Sequence, residues 1–544
     1  MKKIVFMLIM LVIAFQSFAQ QKQVKNVILM IPDGTSLATV SAARWYQWYL
    51  NPEKPNLHLD PYLCGSVLTF SSNAPIGDSA PTTSCFMTGV PSRAGYVSTY
   101  PLADAENDIL PLDPNMAYQP LMTVLEASKL KNMSTGLVFT CEFPHATPAD
   151  CASHTYNRGK YEWISPQMVH NNIDIVIGGG TKHLSKEQQE YLLKKGYGVY
   201  LDDISGFRSH TGNKMWSLFC ENDMPYDLDK DNNVHPSLSE MTAKAIEKLS
   251  KNENGFFLMV EGSKIDWAAH ANDPIGMITD MLAFDKAFGV ALDFAKKNGE
   301  TVVIAVPDHG NSGISIGSSN CPDYGSLTKD QLFKNITGYK ATTETIIKIM
   351  RDTEPAKVNE VFKELSGLNL SDEDVKRIVS SRDYNKSELS AEEKAKGRSV
   401  STAVKDIISK NHCFGFTTGG HTGEEVFLAV YSPENVQRPT GHIRNVDVNQ
   451  YIQNILSIDN LKNYTADYFA KHTTVFRNGK CTINKSETNP VLEVEMNNKK
   501  LSVKAYSNIV VLNGKEIELS TVVVYIDKTD TFYLPKHLIR LLES

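Results

Sequence analysis

Short and almost wholly apolar runs recur along the chain, and each ends in a polar or glycine-rich loop. Stretches with a helical pattern lie between the runs, which read NVILMI, TGLVFT, IDIVIGGG, GFFLMV, TVVIAV and EEVFLAVY. Continuous apolar strands that alternate with helices are typical of a mostly parallel sheet covered on both faces. The sequence therefore predicts the α/β class, with a doubly wound, mostly parallel sheet sandwiched by helices.

Acidic residues stand where three of these runs end. Asp33 follows the first run, Glu261 follows the fourth and Asp308 follows the fifth. In sheets of this kind, ligands bind outside the carboxyl ends of the strands. We therefore expect the three carboxylates to lie at one edge of the sheet, beside a functional site.

Two stretches depart from this alternation. Residues from about 326 to 411 are charged and helical in pattern, which predicts a helical insertion, either a rim or lid of the site or a packing excursion. From about residue 488 the chain alternates apolar and polar residues around Asn-Asn and Asn-Gly turns. We expect one α/β domain over 20–480 and a small β-rich C-terminal accessory domain over 488–544 that ends in a helix.

The N-terminus has the pattern of a secretory signal. Lys2 and Lys3 precede the apolar run IVFMLIMLVIAF, and the small residues Ser17 and Ala19 fit cleavage before Gln20. The run is short for a bilayer span, and no basic stop-transfer flank follows it. The pattern predicts a signal peptide over residues 1–19, a secreted or periplasmic location, and no membrane span after cleavage.

Composition narrows the classes of partner. The 55 basic and 62 acidic side chains give a net charge of −7 without a basic stripe, which argues against a nucleic-acid scaffold. A phosphate-bearing substrate remains compatible, since a site inside an acidic protein can be locally positive. The eight cysteines are irregularly spaced without a Cys-x-x-Cys pair, which argues against a thiolate zinc ribbon and leaves their pairing open.

The stretch GDSAPTTSCFMTG, residues 77–89, crowds hydroxyl groups around a helix start. Taken alone it is typical of a capped helix, with Asp78 and Ser79 satisfying free N–H groups and Pro81 in the first turn. The alternative is that one hydroxyl is a nucleophile, because a helix N-terminus favours developing negative charge. Metal ligands elsewhere in the chain would favour the second interpretation.

Three later segments carry such residue types. EGSKIDWAAHAND places Asp266 and His270 four residues apart, on one face of a helix. VPDHGNSG places Asp308 beside His309 directly after a strand, and TTGGHTGEEV places His421 among small residues that allow close approach. Each segment alone has a plain structural explanation, but together they indicate a metal centre.

Imidazole and carboxylate groups suit zinc, and they form two sets of three: Asp266, His270 and His421, and Asp33, Asp308 and His309. Oxygen donors suit magnesium, and Glu261, Thr147 and a shared Asp33 supply them. Two metals about 4 Å apart stabilise both the entering and the leaving oxygen of an in-line displacement. A serine hydroxyl between them would be deprotonated, which is a use for Ser79.

Six motifs in this order resemble the alkaline phosphatase family over residues from about 26 to 456: IPDG, GDSAPTT, FPHATPADCASHTYNR, EGSKIDWAAH, PDHG and GGHTGEEV. The resemblance implies a doubly wound α/β fold with two zinc ions and one magnesium, held by the three ligand sets above. It implies that Ser79 is the phosphorylated nucleophile and a ligand of the second zinc. It also implies that Arg158 grips two phosphate oxygens and that Asp78 orients Arg158.

The chain departs from the family pattern at a few positions. His145 and Trp267 occupy positions that vary among members and that tune phosphate and third-metal affinity, so we expect them near the substrate. Gly310 and Asn311 follow the Asp-His pair where the family usually has Glu-Thr. The β-rich tail lies outside the common family core.

The resemblance implies hydrolysis of small-molecule phosphate monoesters at alkaline pH, and it leaves a homodimer open. The alternatives are a phosphodiesterase or sulfatase of the same superfamily and, in another class, a non-catalytic surface-binding protein. A sulfatase would need Cys-x-Pro-x-Arg at the nucleophile, where this chain has Asp78-Ser79-Ala80-Pro81. Superfamily diesterases typically lack the magnesium site, so Glu261 and Thr147 favour monoesters.

Overall fold

The computed structural model describes residues 24–319, 321, 324–382, 399–486 and 488–543. The predicted signal peptide over residues 1–19 lies outside these ranges, as do residues 383–398 of the predicted helical insertion. Within the described ranges, no helix is both long enough and apolar enough to cross a membrane.

Ten strands build the central sheet: β1 (Asn26–Pro32), β2 (Leu63–Leu68), β3 (Ser134–Glu142), β4 (Ile175–Gly179), β5 (Gly198–Leu201), β6 (Met215–Leu218), β7 (Phe256–Gly262), β8 (Thr301–Ala305), β13 (Val426–Tyr431) and β14 (Gly441–Arg444). Their spatial order is β14-β2-β13-β8-β1-β7-β3-β4-β6-β5. Neighbours pair in parallel, except that β13 runs antiparallel to both β8 and β2. The predicted fold class is confirmed.

Nineteen α-helices lie in the described ranges: α1 (Leu37–Leu50), α2 (Ser79–Thr88), α3 (Val124–Leu130), α4 (Ala146–Ala152), α5 (Tyr161–His170), α6 (Lys186–Lys194), α7 (Ile204–Ser209), α8 (Leu238–Leu249), α9 (Lys264–His270), α10 (Pro274–Asn298), α11 (Lys329–Phe333), α12 (Thr343–Asp352), α13 (Val358–Ser366), α14 (Asp372–Ser380), α15 (Val400–Asn411), α16 (Asn445–Ile455), α17 (Leu461–Tyr468), α18 (His472–Val475) and α19 (Arg540–Glu543).

Both faces of the sheet are covered, as the continuous apolar runs predict. Alternate side chains of β1 enter two separate cores because a strand points successive residues to opposite faces. Leu29 packs with α3, α4, α5 and α16 in one core. Met30 packs with α1, α8 and α10 in the other.

Helices dominate the chain between β10 (Ser315–Ile316) and β11 (Phe414–Gly415). Helices α12 to α15 enclose a separate apolar core, which also includes Ile275 of α10. A Cys321–Cys413 disulfide and the antiparallel pairing of β10 with β11 join the two ends of this region. A second small ladder pairs β9 (Gly310–Asn311) with β12 (His421–Thr422), so the end of the excursion returns beside the end of β8.

Strands also dominate the C-terminal part. Its strands are β15 (Ala470–Lys471), β16 (Lys480–Asn484), β17 (Val491–Met496), β18 (Lys499–Lys504), β19 (Ile509–Leu512), β20 (Lys515–Glu518), β21 (Val524–Ile526) and β22 (Thr531–Leu534). They form sheets of five and three strands. The five-stranded sheet begins at Lys480, before residue 488, and the module packs against Trp163 of α5.

Loss of the Cys321–Cys413 disulfide is expected to lower thermal stability. The bond closes a loop with a sequence separation of 92 residues, and losing such a constraint typically costs about 2–5 kcal/mol. A Cys321→Ser/Cys413→Ser double variant should melt at a lower temperature than the parent in scanning calorimetry. Cys481→Ser, which removes a free and half-buried thiol, should keep the parent midpoint. Equal midpoints for all three proteins would contradict the prediction.

Candidate active site

The three strand-end carboxylates meet at one edge of the sheet, as expected. Strands β7 and β8 flank β1 in parallel, and the register sets Ile31 opposite Glu261. Asp33, Glu261 and Asp308 are all fully buried. The Gly34 backbone N–H donates to Asp308 Oδ1 at 3.1 Å, which ties the ends of two of these strands together.

Ser79 begins helix α2 beside these carboxylates. Asp78 is the N-cap residue in an extended conformation, and its carboxylate accepts from the Ser79 backbone N–H at 2.9 Å. Ser79 Oγ lies 3.4 Å from Asp33 Oδ1 and 3.4 Å from His309 Nε2. The stretch is thus a capped helix start, and one of its hydroxyls faces the acidic cluster from the positive end of the helix.

The first predicted ligand set converges on one point. His270 Nε2 and His421 Nε2 lie 3.1 Å apart. His270 Nε2 lies 3.4 Å from Asp266 Oδ2, and His421 Nε2 lies 3.8 Å from Asp266 Oδ1. Each Nδ1 lies within hydrogen-bond distance of a backbone carbonyl, that of Gly419 for His270 and that of Gly77 for His421. Neutral rings that donate from Nδ1 direct two Nε2 lone pairs at each other, an arrangement that a cation between them relieves.

The second set is adjacent to the first. His309 Nδ1 lies 3.1 Å from the Gly310 carbonyl, and its Nε2 lies 3.4 Å from Asp33 Oδ1 and 3.5 Å from Asp308 Oδ2. The rings of His309 and His421 stack with centroids 3.8 Å apart. Ligand atoms of Asp266, His309 and His421 also fall within 4.8 Å of one another, so the two sets share one continuous space.

The third set consists of oxygen atoms that need partners. Asp33 Oδ2, Glu261 Oε1 and Thr147 Oγ1 are all buried, and none has a hydrogen-bond partner among the described residues. Asp308 Oδ2 is also buried and has no hydrogen-bond partner among the described residues. Buried polar atoms are nearly always satisfied in folded proteins, so these oxygens fit ligands of a bound cation.

The pKa values of the clustered carboxyl groups also favour a bound cation. Burial, reinforced by Asp308 and Asp266, raises the pKa of Asp33 well above its usual range. Burial also raises the pKa of Glu261 to about 7. Negative charges gathered in a low-dielectric region destabilise one another unless cations compensate them.

A guanidinium stands at the mouth of the cluster. Arg158 Nη1 donates to Asp78 Oδ1 at 2.6 Å, and Arg158 Nη2 lies 3.1 Å from His145 Nε2. Burial and then Arg158 lower the pKa of His145 to about 4, which makes the neutral ring an acceptor. The Trp267 ring meets the His145 ring edge-on at 6.0 Å, and Lys264 Nζ lies 4.1 Å from the Trp267 ring centroid.

Sequence reasoning missed two residues of this region. Asn311 Nδ2 donates to Asp266 Oδ1 at 2.7 Å, and the Asn311 backbone N–H contacts Ser36 Oγ at 3.2 Å, so Asn311 holds a predicted ligand. Cys141 Sγ donates to Glu261 Oε2 at 3.3 Å. Only the position of Asn311 and Cys141 in the sequence could have indicated them, because each lies at or after the carboxyl end of a core strand.

Comparison with known proteins relates most of the chain to one protein family. The family model described as alkaline phosphatase matches residues 24–458. Alkaline phosphatase 3 of Bacillus subtilis (strain 168) is 33% identical over 447 residues, covering 79% of this chain and 88% of that protein. The repressible alkaline phosphatase of Saccharomyces cerevisiae is 28% identical over 526 residues, covering 85% and 86%.

A solved structure agrees in fold. The cold-active alkaline phosphatase from a psychrophilic Shewanella sp. superposes with a TM-score of 0.68 at 26% identity, covering 79% of this chain and 99% of that one. The chain belongs to the alkaline phosphatase family. It is accordingly an enzyme of the phosphoric monoester hydrolase class.

The metal-free protein is expected to lose stability as the pH rises from about 4.5 to about 7. Burial raises the pKa of Glu261 from 4.5 to about 7, so the folded state keeps a proton that the unfolded state releases in this interval. The stabilising contribution of the protonated Glu261 carboxyl is fully present below the pKa of the unfolded state. It is lost as the pH rises through the pKa of the folded state. The measurement is the thermal midpoint of chelator-treated protein across this interval.

Two controls accompany that measurement. Glu261→Gln should flatten the fall in the metal-free protein, because the amide does not titrate. Divalent cations should raise the midpoint of the parent most at the high end of the interval, where the carboxylates are charged. A parent and variant with superimposable metal-free profiles would refute the assignment.

Proposed function

We propose that the chain hydrolyses small-molecule phosphate monoesters through a phosphoserine intermediate on Ser79, with two zinc ions and one magnesium, at alkaline pH. One observation carries the proposal. The hydroxyl of Ser79 lies at a helix N-terminus, 3.4 Å from a carboxylate and 3.4 Å from an imidazole of the ligand cluster, with Arg158 held nearby. This combination of nucleophile, metal ligands and anion grip is what phosphoryl transfer requires.

The donor sets fit the ions that the family resemblance implies. Asp266, His270 and His421 would hold one zinc, and Asp33, Asp308 and His309, with Ser79, would hold the other. Asp33, Glu261 and Thr147 would hold magnesium through the three unpartnered oxygens. Bound there, the ions supply Lewis-acid charge that acidifies hydroxyl groups and stabilises phosphoryl oxygens.

Side chains of the protein bind the phosphoryl group and supply the nucleophile. Arg158 presents its planar fork to two phosphoryl oxygens, and the 2.6 Å contact with Asp78 fixes the orientation of that fork. Ser79 Oγ releases its proton to solvent and attacks phosphorus in line. The ester oxygen leaves with the electron pair of its bond to phosphorus and takes up a proton from solvent. The N-terminus of α2 stabilises the negative charge at Ser79.

The second half of the reaction reverses the first with water. Water attacks the phosphorus of phosphoserine, the Ser79 Oγ–P bond breaks, and Ser79 recovers a proton as inorganic phosphate departs. Two in-line displacements retain the configuration at phosphorus. Rising pH favours both attacking groups because each must lose a proton, which supports alkaline operation.

Export fits this function. The signal-like N-terminus supports a secreted or periplasmic enzyme, which would release phosphate outside the cytoplasm. The conversion of an external ester into free phosphate needs no nucleic-acid or membrane partner.

Replacement of the nucleophile should nearly abolish hydrolysis. Ser79→Ala is expected to lower kcat/KM for an aryl phosphate at alkaline pH by at least about 1,000-fold, because the covalent route is lost. Ser84→Ala, on the same helix and equally buried, should stay close to the parent. Acid quenching of the parent during turnover, followed by peptide mass spectrometry, should find phosphate on Ser79.

Two outcomes of the same assays would refute the proposal. One is a preference for an aryl phosphodiester over the monoester. The other is activity that survives removal of metals with a chelator.

Shortening the phosphate grip should weaken phosphate binding. Arg158→Lys is expected to raise both KM and the inhibition constant of inorganic phosphate by about 10- to 100-fold, because a point charge replaces a bidentate fork. Asp78→Asn should also raise KM and the inhibition constant of phosphate, but by a smaller factor, because the Arg158 guanidinium is still present. Arg93→Lys, at an ion pair with Asp104, is the matched control and should change neither. Equal effects of Arg158→Lys and Arg93→Lys would contradict the assignment.

A further inference from the structure

Arg158, the residue assigned to the phosphate grip, lies in a partly exposed turn rather than in a helix or strand. This Arg158 turn, residues 156–160, follows Thr155 and leads into α5. The Arg158 backbone N–H donates to the Gly95 carbonyl at 2.7 Å, and Asp78 orients the guanidinium. A long and flexible side chain reaches its target reliably only when the backbone that carries it is also fixed. Contacts that hold this turn are therefore part of the phosphate grip.

The C-terminal module, which contains strands β15 to β22, contacts this turn at Tyr156. The Tyr156 hydroxyl donates to Asp527 Oδ1 at 2.6 Å, and Lys528 Nζ lies 5.6 Å from the centroid of the Tyr156 ring. Burial and then Asp527 raise the pKa of the Tyr156 hydroxyl, so the hydroxyl keeps its proton at alkaline pH. A hydrogen bond to a charged acceptor is stronger than one to a neutral acceptor. Tyr156 is therefore tied to the module under the conditions of the proposed reaction.

The module contacts the chain again just beyond the turn, at Trp163 of α5. The Trp163 and Tyr506 rings stack with centroids 5.9 Å apart and planes 19° apart, and both side chains are buried. The Tyr506 hydroxyl donates to the Tyr525 carbonyl at 3.2 Å, which fixes this ring within the module. The two contacts are also joined, since the Tyr156 and Trp163 rings meet edge-on with centroids 6.0 Å apart. The module thus holds the chain two residues before Arg158 and five residues after it.

We propose that the C-terminal module positions Arg158 for phosphate binding, with Asp527 as a positioning residue that acts through Tyr156. This role rests on the proposed function, since it concerns the hold on the substrate phosphate. The family model ends at residue 458, before the first strand of the module, so the family match does not account for these contacts. The module contributes to substrate affinity through the backbone of the Arg158 turn.

Removal of the acceptor on the module should weaken phosphate binding. Asp527→Ala is expected to raise KM for an aryl phosphate and the inhibition constant of inorganic phosphate by about 3- to 10-fold, because one hydrogen bond is lost. The turnover number kcat should change less, since Ser79 and the proposed metal ligands lie on other elements. Asp527→Asn retains an acceptor oxygen and should restore most of the phosphate affinity. Equal losses in the alanine and asparagine variants would overturn the assignment to this hydrogen bond.

A double-mutant cycle separates this contact from a general weakening of the module. Tyr156→Phe removes the same hydrogen bond from the other side, so Tyr156→Phe/Asp527→Ala should bind phosphate no more weakly than the weaker single variant. Glu518→Ala is the matched control, because Glu518 is another exposed carboxylate of the module and accepts from Asn172 Nδ2 at 3.1 Å, beyond the far end of α5. It should keep the parent constants. Additive losses in the cycle, or equal losses in Glu518→Ala and Asp527→Ala, would overturn the proposal.

Hydrogen exchange gives a readout that does not require activity. In the full-length protein, Asp527→Ala should accelerate amide exchange in the peptide that covers residues 155–160, and Glu518→Ala should not, as measured by mass spectrometry. The Arg158 amide, which is bonded to the Gly95 carbonyl, is the expected reporter. Unchanged exchange in Asp527→Ala would overturn the proposal. Faster exchange in a chain that does not hydrolyse monoesters would refute the proposed function and leave the link between the module and Arg158 standing.

Discussion

Repulsion among buried carboxylates is the constraint on which the rest of this site depends. Asp33, Glu261, Asp266 and Asp308 are confined to one buried region, three of them at the ends of neighbouring strands or just after them. Parallel strands fix those ends rigidly, so the charges cannot separate. The histidines, with Nδ1 anchored on backbone carbonyls, direct their remaining nitrogens at the same region. The buried carboxylates and the converging imidazole nitrogens both favour binding of a cation.

Much of this arrangement is readable from residue types and their order. Apolar runs long enough to be buried on both faces predict the sheet, and the polar residues after them predict which edge carries the site. Four-residue spacing correctly places Asp266 and His270 on one face of α9. Residue type groups His421 with this pair, and the motifs that resemble alkaline phosphatases support the grouping, because no spacing argument connects residues so far apart in the chain.

Other features depend on contacts that a single sequence does not encode locally. The direction of β13 is one, because a fully buried strand has the same pattern whether its neighbours run parallel or antiparallel. The role of Asn311 is another, since it depends on the ladder that pairs it with His421 and on the approach of Asp266. The Cys321–Cys413 pairing and the Glu261 contact of Cys141 likewise arise from tertiary proximity.

Three links at the base of the helical excursion, one disulfide and two short ladders, separate the excursion from the site. The disulfide and the short ladders of β10 with β11 and of β9 with β12 define where the chain leaves and where it returns with His421. Loop-closure entropy grows only slowly with length, so the segment between these links can lengthen or shorten at little thermodynamic cost. The excursion is therefore a natural graft point, where evolution or an engineer can add a new surface without moving His421.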